Sequence, residues 1–512
     1  MKILLMAINA KFIHRNLALD QLLAICQEKN VSVKLHEANI SQGVRDILLS
    51  CDFESYDAIF FSVYLWNESM VRELAEDMKR TKPSLMLFAG GPQAYSRKED
   101  FLPLFDGVIM GDGEAPFVSI LENPFQPSAW QHVSTAEIEA PLYFEKNIDR
   151  WPSPKVIAHN QILYYESSRG CPYRCSYCLS AGTPLVLRDL SRVREDLARF
   201  IEAEVRLVKF VDRSFNADLS RALEILSMIK SMDRGKTTFH LELTPVGLSQ
   251  DLLDSLKEAR KGLFRYEIGI QSVDDHVNLQ VERPFKKRLY WPALEKFMSE
   301  APGEKHLDLI VGIPGSNLEN IKSSLNALGS LYPEELQLGF LKVLPSTPLG
   351  DQAAALGIVS GSRPPYEVLS TPDLSFQEIK FLKRIEQRMD LFNPSAIPFT
   401  LPLLLQEYST FDLFSRLAEE LPDLRRVTFA RRLQALASCF PSELIRESLE
   451  IDYLRKRRSP RSLFFPERFK GYEKGKAIYE GYFDGKNLLK KPITIRIDHQ
   501  TSHVDFSAEG GS

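Results

Sequence analysis

The chain of 512 residues has only six cysteines: Cys26, Cys51, Cys171, Cys175, Cys178 and Cys439. Three are scattered and three crowd between positions 171 and 178, so the spread of half-cystines that a disulfide-stapled secreted fold needs is missing. Such usage suits a reducing cytoplasm, where thiols bind metal. There is no apolar run long enough to span a membrane, which takes about 18 residues or more. The apolar start, Met1–Asn9, is too short for a signal peptide and meets Lys11, His14 and Arg15 at once, so it reads as a buried first strand. A dominant charge is lacking too. Against 64 Lys and Arg stand 68 Asp and Glu, a net charge of −4 that gives no global field to draw nucleic acid. Internal repeats and low-complexity tracts do not stand out. What is present, 44% hydrophobic and 26% charged residues, is the composition of a globular chain with room for about three domains.

Residues 1–125 alternate short apolar runs with amphipathic stretches. The runs are Lys2–Ile8, Val31–Leu35, Ala58–Val63, Leu85–Ala89 and Gly107–Met110, with helix-like segments such as Leu17–Gln27 and Glu68–Arg80 between them. Continuous apolar strands separated by helices predict a parallel sheet covered on both faces, a doubly wound domain of Rossmann or flavodoxin-like type. Such sheets bind ligands at the carboxyl ends of their strands. Three loops fall there: Ser62–Asn67, Gly90-Gly91-Pro92-Gln93 and Gly111-Asp112-Gly113-Glu114. Their glycines let backbone approach a large ligand, or are ordinary turn glycines. Residues 126–160, with Pro127, Pro141, Pro152 and Pro154, read as a linker.

Residues 161–350 repeat the strand–helix rhythm. Candidate strands are Ile162–Glu166, Leu207–Val211, Thr238–Glu242, Arg265–Ile270, His306–Val311 and Glu335–Lys342, which predict a partial (β/α)6 barrel with its functional groups at strand C-termini. Residues 351–512 read as an α+β extension: helices at 376–390 and 424–457, then a small antiparallel sheet from Ala477 onward. Its segment Arg455–Lys474 mixes basic and aromatic residues. Such a mixture can bind RNA phosphates and stack bases, or form a solvated helix end followed by a packed loop.

The chemistry concentrates just after the first barrel strand, in Ser168-Arg169-Gly170-Cys171-Pro172-Tyr173-Arg174-Cys175-Ser176-Tyr177-Cys178. Thiolates at spacings of four and three can converge on one face of a tight loop. Three of them on a 4Fe–4S cluster leave the fourth iron open to a substrate or cofactor. A structural zinc site wants four ligands, and the nearest additional donor is His159. A thioredoxin-like pair needs only Cys175 and Cys178 and a different surrounding unit.

This Cys-x-x-x-Cys-x-x-Cys loop, with an aromatic before its last cysteine, resembles that of the radical S-adenosylmethionine (SAM) superfamily. The resemblance implies that SAM chelates the open iron, that a low-potential cluster reduces its sulfonium, and that a 5′-deoxyadenosyl radical results. It implies a low-potential electron donor such as flavodoxin or ferredoxin. Tyr177 matches the aromatic near adenine. The segments Phe210–Asn216, His240–Pro245, Glu267–Ser272 and Asp308–Gly315 look like the family's later strand ends. By that match Glu242, Gln271 and Ser272 face SAM, Gly312 and Gly315 let backbone lie against adenine, and Arg283 is a candidate for the SAM carboxylate.

A doubly wound domain ahead of such a barrel resembles the cobalamin-binding subclass, and the Gly-Asp-Gly-Glu loop is the most specific piece of that likeness. It implies that Ser62, Gly90, Gly91, Asp112 and Glu114 line cobalamin and that the enzyme transfers a methyl group to, or rearranges, an unactivated carbon. The Asp-x-His-x-x-Gly motif that gives cobalt a histidine is absent; Asp274-Asp275-His276 lacks the glycine. Lys11 and His14 lie at the same sheet edge, as ligand contacts or as a solvated loop. The extension resembles the uncharacterised C-terminal part of one cobalamin radical SAM group. Two alternatives stand beside this reading: a cobalamin-independent radical SAM enzyme that modifies RNA, and a non-catalytic zinc-binding interaction protein.

Overall fold

The computed structural model describes residues 1–153, 161–456, 463–473, 476–498 and 501–507. His159, the end of the linker and parts of the basic–aromatic segment lie outside them. The chain divides into two compact units. The first comprises residues 1–305, 312–315 and 340–373, the second 306–311, 316–339 and 374–512.

The first unit opens with a sheet of β1 (Ile3–Asn9), β2 (Val33–Asn39), β3 (Ala58–Ser62), β4 (Met86–Gly90), β5 (Gly107–Ile109) and β6 (Val133–Ser134). The order is β2-β1-β3-β4-β5-β6. The first five strands run parallel and β6 pairs antiparallel with β5. This is the flavodoxin-like order, with its topological switch point between β1 and β3. All seven residues of β1 are buried. Ile3, Leu5 and Ala7 enter one core while Leu4, Met6 and Ile8 enter the core on the other face. Period-two side chains on a strand covered from both sides require such an unbroken apolar run. Helices Leu17–Glu28, Glu68–Thr81 and Glu114–Glu122 supply the covering layers. β6 comes from the stretch read as linker, where two residues carry no detectable period.

The barrel strands of this unit are β7 (Leu163–Tyr165), β10 (Leu207–Phe210), β11 (Thr238–Leu243) and β12 (Phe264–Gln271), parallel in the order β7-β10-β11-β12. Two short antiparallel strands, β8 (Ser168–Arg169) and β9 (Val186–Leu187), close the loop that carries the cysteines. Burial along β12 alternates residue by residue, with Arg265, Glu267, Gly269 and Gln271 on its less buried face. The intervening helices Leu190–Glu202, Leu219–Met232 and Gln250–Lys257 start at side-chain caps from Asp189, Asp218 and Ser249.

The second unit holds most of β13 (Glu304–Val311) and β14 (Glu335–Phe340), which lie side by side, and the helix Leu318–Gly329. Its helices Phe376–Leu391, Thr400–Glu407, Thr410–Glu420, Phe429–Cys439 and Glu443–Lys456 precede a four-stranded antiparallel sheet spanning Phe469 to Ser507. The expected helix over 424–457 is two helices, because Pro441 removes an amide donor and clashes with the preceding turn. Helix Glu443–Lys456 buries Glu447, Glu450 and Asp452 completely. Asp452 accepts the amides of Phe399 and Thr400 at 3.1 Å and the Thr400 hydroxyl at 2.7 Å. In the basic–aromatic segment, Arg468 pairs with Glu447 and lies 3.9 Å over the Phe465 ring, while Arg455 donates to the Ser395 carbonyl at 2.7 Å. Those two cations therefore fasten this unit internally. No described helix is long and apolar enough to cross a membrane.

Candidate functional site

The cysteine loop is fixed from both ends by its own backbone. Gly170 has a φ of +91°, and a Cβ there would collide with the Pro184 carbonyl oxygen, so only glycine fits. The Cys171 amide donates to the Thr183 carbonyl at 3.2 Å and to its hydroxyl at 3.1 Å. Gly182 N–H returns to the Tyr173 carbonyl at 2.7 Å, and Cys178 N–H to the Cys175 carbonyl at 2.9 Å. All three thiols are free; Cys171 and Cys175 are buried and Cys178 is half-buried. Burial pushes the Cys171 thiol above its ordinary pKa. Upstream, buried Asp212 holds the loop's entry, accepting the Ser167 amide at 2.8 Å and the Ser167 and Ser168 hydroxyls at 2.6 Å.

Arg283 approaches the loop from beyond β12. Its guanidinium donates to the Gly269 and Ile270 carbonyls, to the Tyr177 hydroxyl at 3.0 Å and to the Cys175 sulfur at 3.6 Å. Burial opposes its charge, but Tyr177 and Cys175 outweigh that and raise its pKa. These contacts place a fixed positive charge beside a thiol. Gln271 sits in the left-handed region with φ +70° and its buried Oε1 has no hydrogen-bond partner. A strained backbone carrying an unpaired acceptor marks a position where a ligand donor is expected. Ser176 Oγ, inside the cysteine loop, is likewise buried and unpaired. Ser272 caps the next turn, its hydroxyl accepting the Asp274 amide at 3.1 Å. Gly312 has φ +87° and Gly315 φ +78°; a Cβ on Gly312 would come 2.7 Å from the Val368 side chain, so protein already fills the space beside it.

The barrel face of the strands carries a charge network that sequence reading missed apart from Glu242. Lys209 lies 3.3 Å from Glu242 and 3.0 Å from Glu267, and His240 lies 2.9 Å from Glu267. The His240 hydrogen bond, then Lys209, hold Glu267 down to a pKa of about 2 despite burial. The signal was the alternation in Arg265–Gln271, which sets Arg265, Glu267 and Gln271 on one face. His14 reaches this barrel, its Nδ1 2.6 Å from the Tyr164 hydroxyl; burial, then Lys11 and Lys209, lower its pKa. Lys11 itself is exposed.

At the switch point of the first sheet, buried Asn67 ties β1 to β3 by donating to the Ile8 and Ser62 carbonyls, both at 3.0 Å. Trp66 stacks on Tyr64 at 4.5 Å and remains 46% exposed, an aromatic surface beside buried Ser62. The two glycine loops divide in role. A Cβ on Gly91 would lie 2.6 Å from the Val63 carbonyl, and one on Gly111 would collide with that of Tyr143, so both serve the protein's own packing. Gly90 has only ordinary contacts, and Gly113 faces open space. Asp112 and Glu114 turn to Arg169, the residue before the cysteine loop's Gly170. Arg169 meets Glu114 at 2.7 and 3.2 Å, Glu166 at 2.7 and 2.9 Å, and Asp112 at 3.4 Å. Asp112 also accepts the Glu145 amide at 2.7 Å, and burial raises its pKa.

The donor set fits an iron–sulfur cluster and SAM: three free thiols on a rigid loop, an adjacent cation, and unpaired acceptors at Gln271 and Ser176. Among the described residues, no three His, Cys, Asp or Glu side chains are placed around a single ion; a cluster does not need that, since each thiolate binds its own iron. The open backbone at Gly113 and the half-exposed Trp66 fit a large planar ligand at the carboxyl ends of the strands.

Residues 3–121 match the family model for the B12 binding domain, and residues 165–328 match that for the Radical SAM superfamily. The chain thus carries a B12 binding domain followed by a radical SAM domain. Residues 355–491 match a third model, described as a protein of unknown function (DUF4080). Among curated proteins, the chain is 25% identical over 358 residues to 2-(S-pantetheinyl)-carbapenam-3-carboxylate methyltransferase of Streptantibioticus cattleyicolor, covering 62% of this chain and 52% of that protein. It is 24% identical over 336 residues to the cobalamin-dependent radical SAM methyltransferase TokK of Streptomyces tokunonensis, covering 57% and 48%. The chain thus spans about half the length of the curated relatives it matches. Two solved structures share the fold. The cobalamin-dependent SAM radical enzyme OxsB with aqua-cobalamin superimposes with a TM-score of 0.63 at 13% identity, over 89% of this chain and 81% of that one. The radical SAM methyltransferase TsrM of Kitasatospora setae gives 0.58 at 14% identity, over 71% and 79%.

Proposed function

We propose that this chain is an enzyme that cleaves SAM reductively at a 4Fe–4S cluster and, with cobalamin, transfers a methyl group to, or rearranges, an unactivated carbon. The observation that carries the reading is the rigid loop of Cys171, Cys175 and Cys178 at the end of the first barrel strand, in a chain whose first sheet has the flavodoxin-like order. Methyltransferase names among its relatives support the same reaction class. When bound, the cluster supplies the electron that breaks a carbon–sulfur bond of SAM, and cobalamin supplies a methyl carrier.

The chain's own residues then have definable tasks. Cys171, Cys175 and Cys178 would hold the cluster, and Arg283 keeps positive charge against Cys175 while fixing Tyr177. Glu242, Gln271 and Ser272 would orient SAM, with the unpaired Gln271 Oε1 accepting one of its N–H or O–H groups. Gly312 shapes the turn behind them. Ser62, Gly90 and the Asp112–Glu114 loop would border the corrinoid, and Gly91 holds that edge of the sheet in shape. Burial of Cys171 and Cys175 keeps water from the reducing centre. The reading needs a low-potential electron donor such as flavodoxin or ferredoxin and places the protein in the cytoplasm, where its six free thiols stay reduced.

Anaerobic reconstitution with iron and sulfide tests this directly. The expected protein is brown, takes up hydroxocobalamin with corrinoid bands in its visible spectrum, and releases 5′-deoxyadenosine from SAM on reduction. A cluster without corrinoid uptake would leave only a cobalamin-independent enzyme. A colourless protein carrying one zinc would end the proposal.

A further inference from the structure

We infer that Arg169 is a positioning residue through which occupancy of the N-terminal glycine loop is felt at the cysteine loop. The inference rests on the proposed binding of corrinoid and SAM. Arg169 is largely buried and is met by three carboxylates from two separate segments: Glu114 and Asp112 from the loop after β5, and Glu166 from the end of β7. Both partners that take two hydrogen bonds use the forked geometry that fixes a guanidinium in orientation as well as place. Glu114 is itself buried and begins helix Glu114–Glu122, so it cannot follow a shifted arginine without moving that helix.

Neither end of this connection has slack. On the barrel side, Arg169 pairs with Val186 across two short strands, and the next residue is Gly170, whose backbone is locked against Pro184; Cys171 follows at once. On the sheet side, Gly111 is locked against Tyr143, and Asp112 is held by the Glu145 amide. Between the two anchored acids lies Gly113, which has no neighbour within 4 Å of where a Cβ would stand. A ligand arriving at this loop meets bare backbone flanked on both sides by acids that hold Arg169. Any adjustment there reorients the guanidinium, and Gly170 passes the change to the first cluster cysteine.

The test is a linkage measurement on the reconstituted full chain. The dissociation constant of SAM is measured from the change it causes in the electron paramagnetic resonance signal of the reduced cluster, with and without saturating hydroxocobalamin. In the unaltered protein, corrinoid is expected to change SAM affinity about fivefold or more. In Glu166→Gln, which keeps the shape and one acceptor but loses the charge, each ligand is expected to bind while the effect of one on the other falls to about twofold or less. Should Glu166→Gln fail to fold, Arg169→Lys, which keeps the charge but loses the forked hydrogen bonds, serves the same purpose. A purely structural clamp would lower the melting temperature and leave the coupling factor intact, and that outcome overturns the inference, as does absence of coupling in the unaltered protein. Failure to take up corrinoid or cluster at all is a different result, and it removes the proposed function along with the inference.

Discussion

β1 and β12 are both central parallel strands flanked by helices, yet they are used differently. β1 is buried on both faces and carries no charge. β12 is buried on one face only and sets Arg265, Glu267 and Gln271 on the other. In the first sheet the strands are scaffold, and the candidate ligand contacts sit at the carboxyl ends of the strands and in the loops that follow them. In the barrel the strands themselves present polar groups, because a partial barrel leaves one face of its sheet open for occupants. A strand whose sequence alternates is therefore informative about chemistry, and a strand that is apolar throughout is informative only about fold.

The comparison can be tested by substitution, beginning with the largest effect. Cys175→Ala should lower 5′-deoxyadenosine formation about 10³-fold or more, with iron content falling and the circular dichroism spectrum retained; preserved cleavage would take the chemistry away from this loop. Phe60→Ala should do the reverse. Phe60 packs on Phe88 at 4.6 Å and on Phe117 at 4.8 Å, so the cavity should cost about 3–5 kcal/mol and lower the melting temperature by roughly 10 °C. Glu242→Gln, on the open face, should melt within about 3 °C of the parent, because Lys209 keeps Glu267 as a partner, while SAM binding weakens about tenfold. If Phe60→Ala proves harmless, or Glu242→Gln unfolds the chain, the division between scaffold strands and site strands fails.

The smallest effect is a pH dependence in the second unit. Burial raises the Asp452 carboxyl to about 7, whereas the unfolded acid titrates near 4. The folded state thus keeps its proton across that window. The stabilisation is full below about pH 4 and is lost as pH rises through 7. Thermal melting should fall by a few degrees between about pH 5 and pH 8, and Asp452→Asn should flatten that slope; an unchanged slope would show that Asp452 does not titrate there.

The core of each layer was legible because strands buried on both faces read as unbroken apolar runs, and every predicted parallel strand overlaps an observed one. The cysteine loop was legible because ligand spacing is local. Long-range pairing was not. Nothing in the chain announces that Glu114 has a partner 55 residues on at Arg169. The backbone acceptors of Arg283, at Gly269 and Ile270, likewise exist only once β12 turns. Helices Thr400–Glu407 and Thr410–Glu420 escaped notice because they abut through Tyr408 and Ser409, with no linker to separate their patterns.

The antiparallel strand β6 has a practical consequence for dissecting the molecule. It caps the open edge of the first sheet, and Trp130 and Trp151 on either side of it are packed into the core that contains Ile3 and Phe88. A fragment ended at residue 125 would bare a strand edge and strip two tryptophans from its interior, inviting self-association. A shorter protein made to study corrinoid uptake alone should therefore run to residue 153.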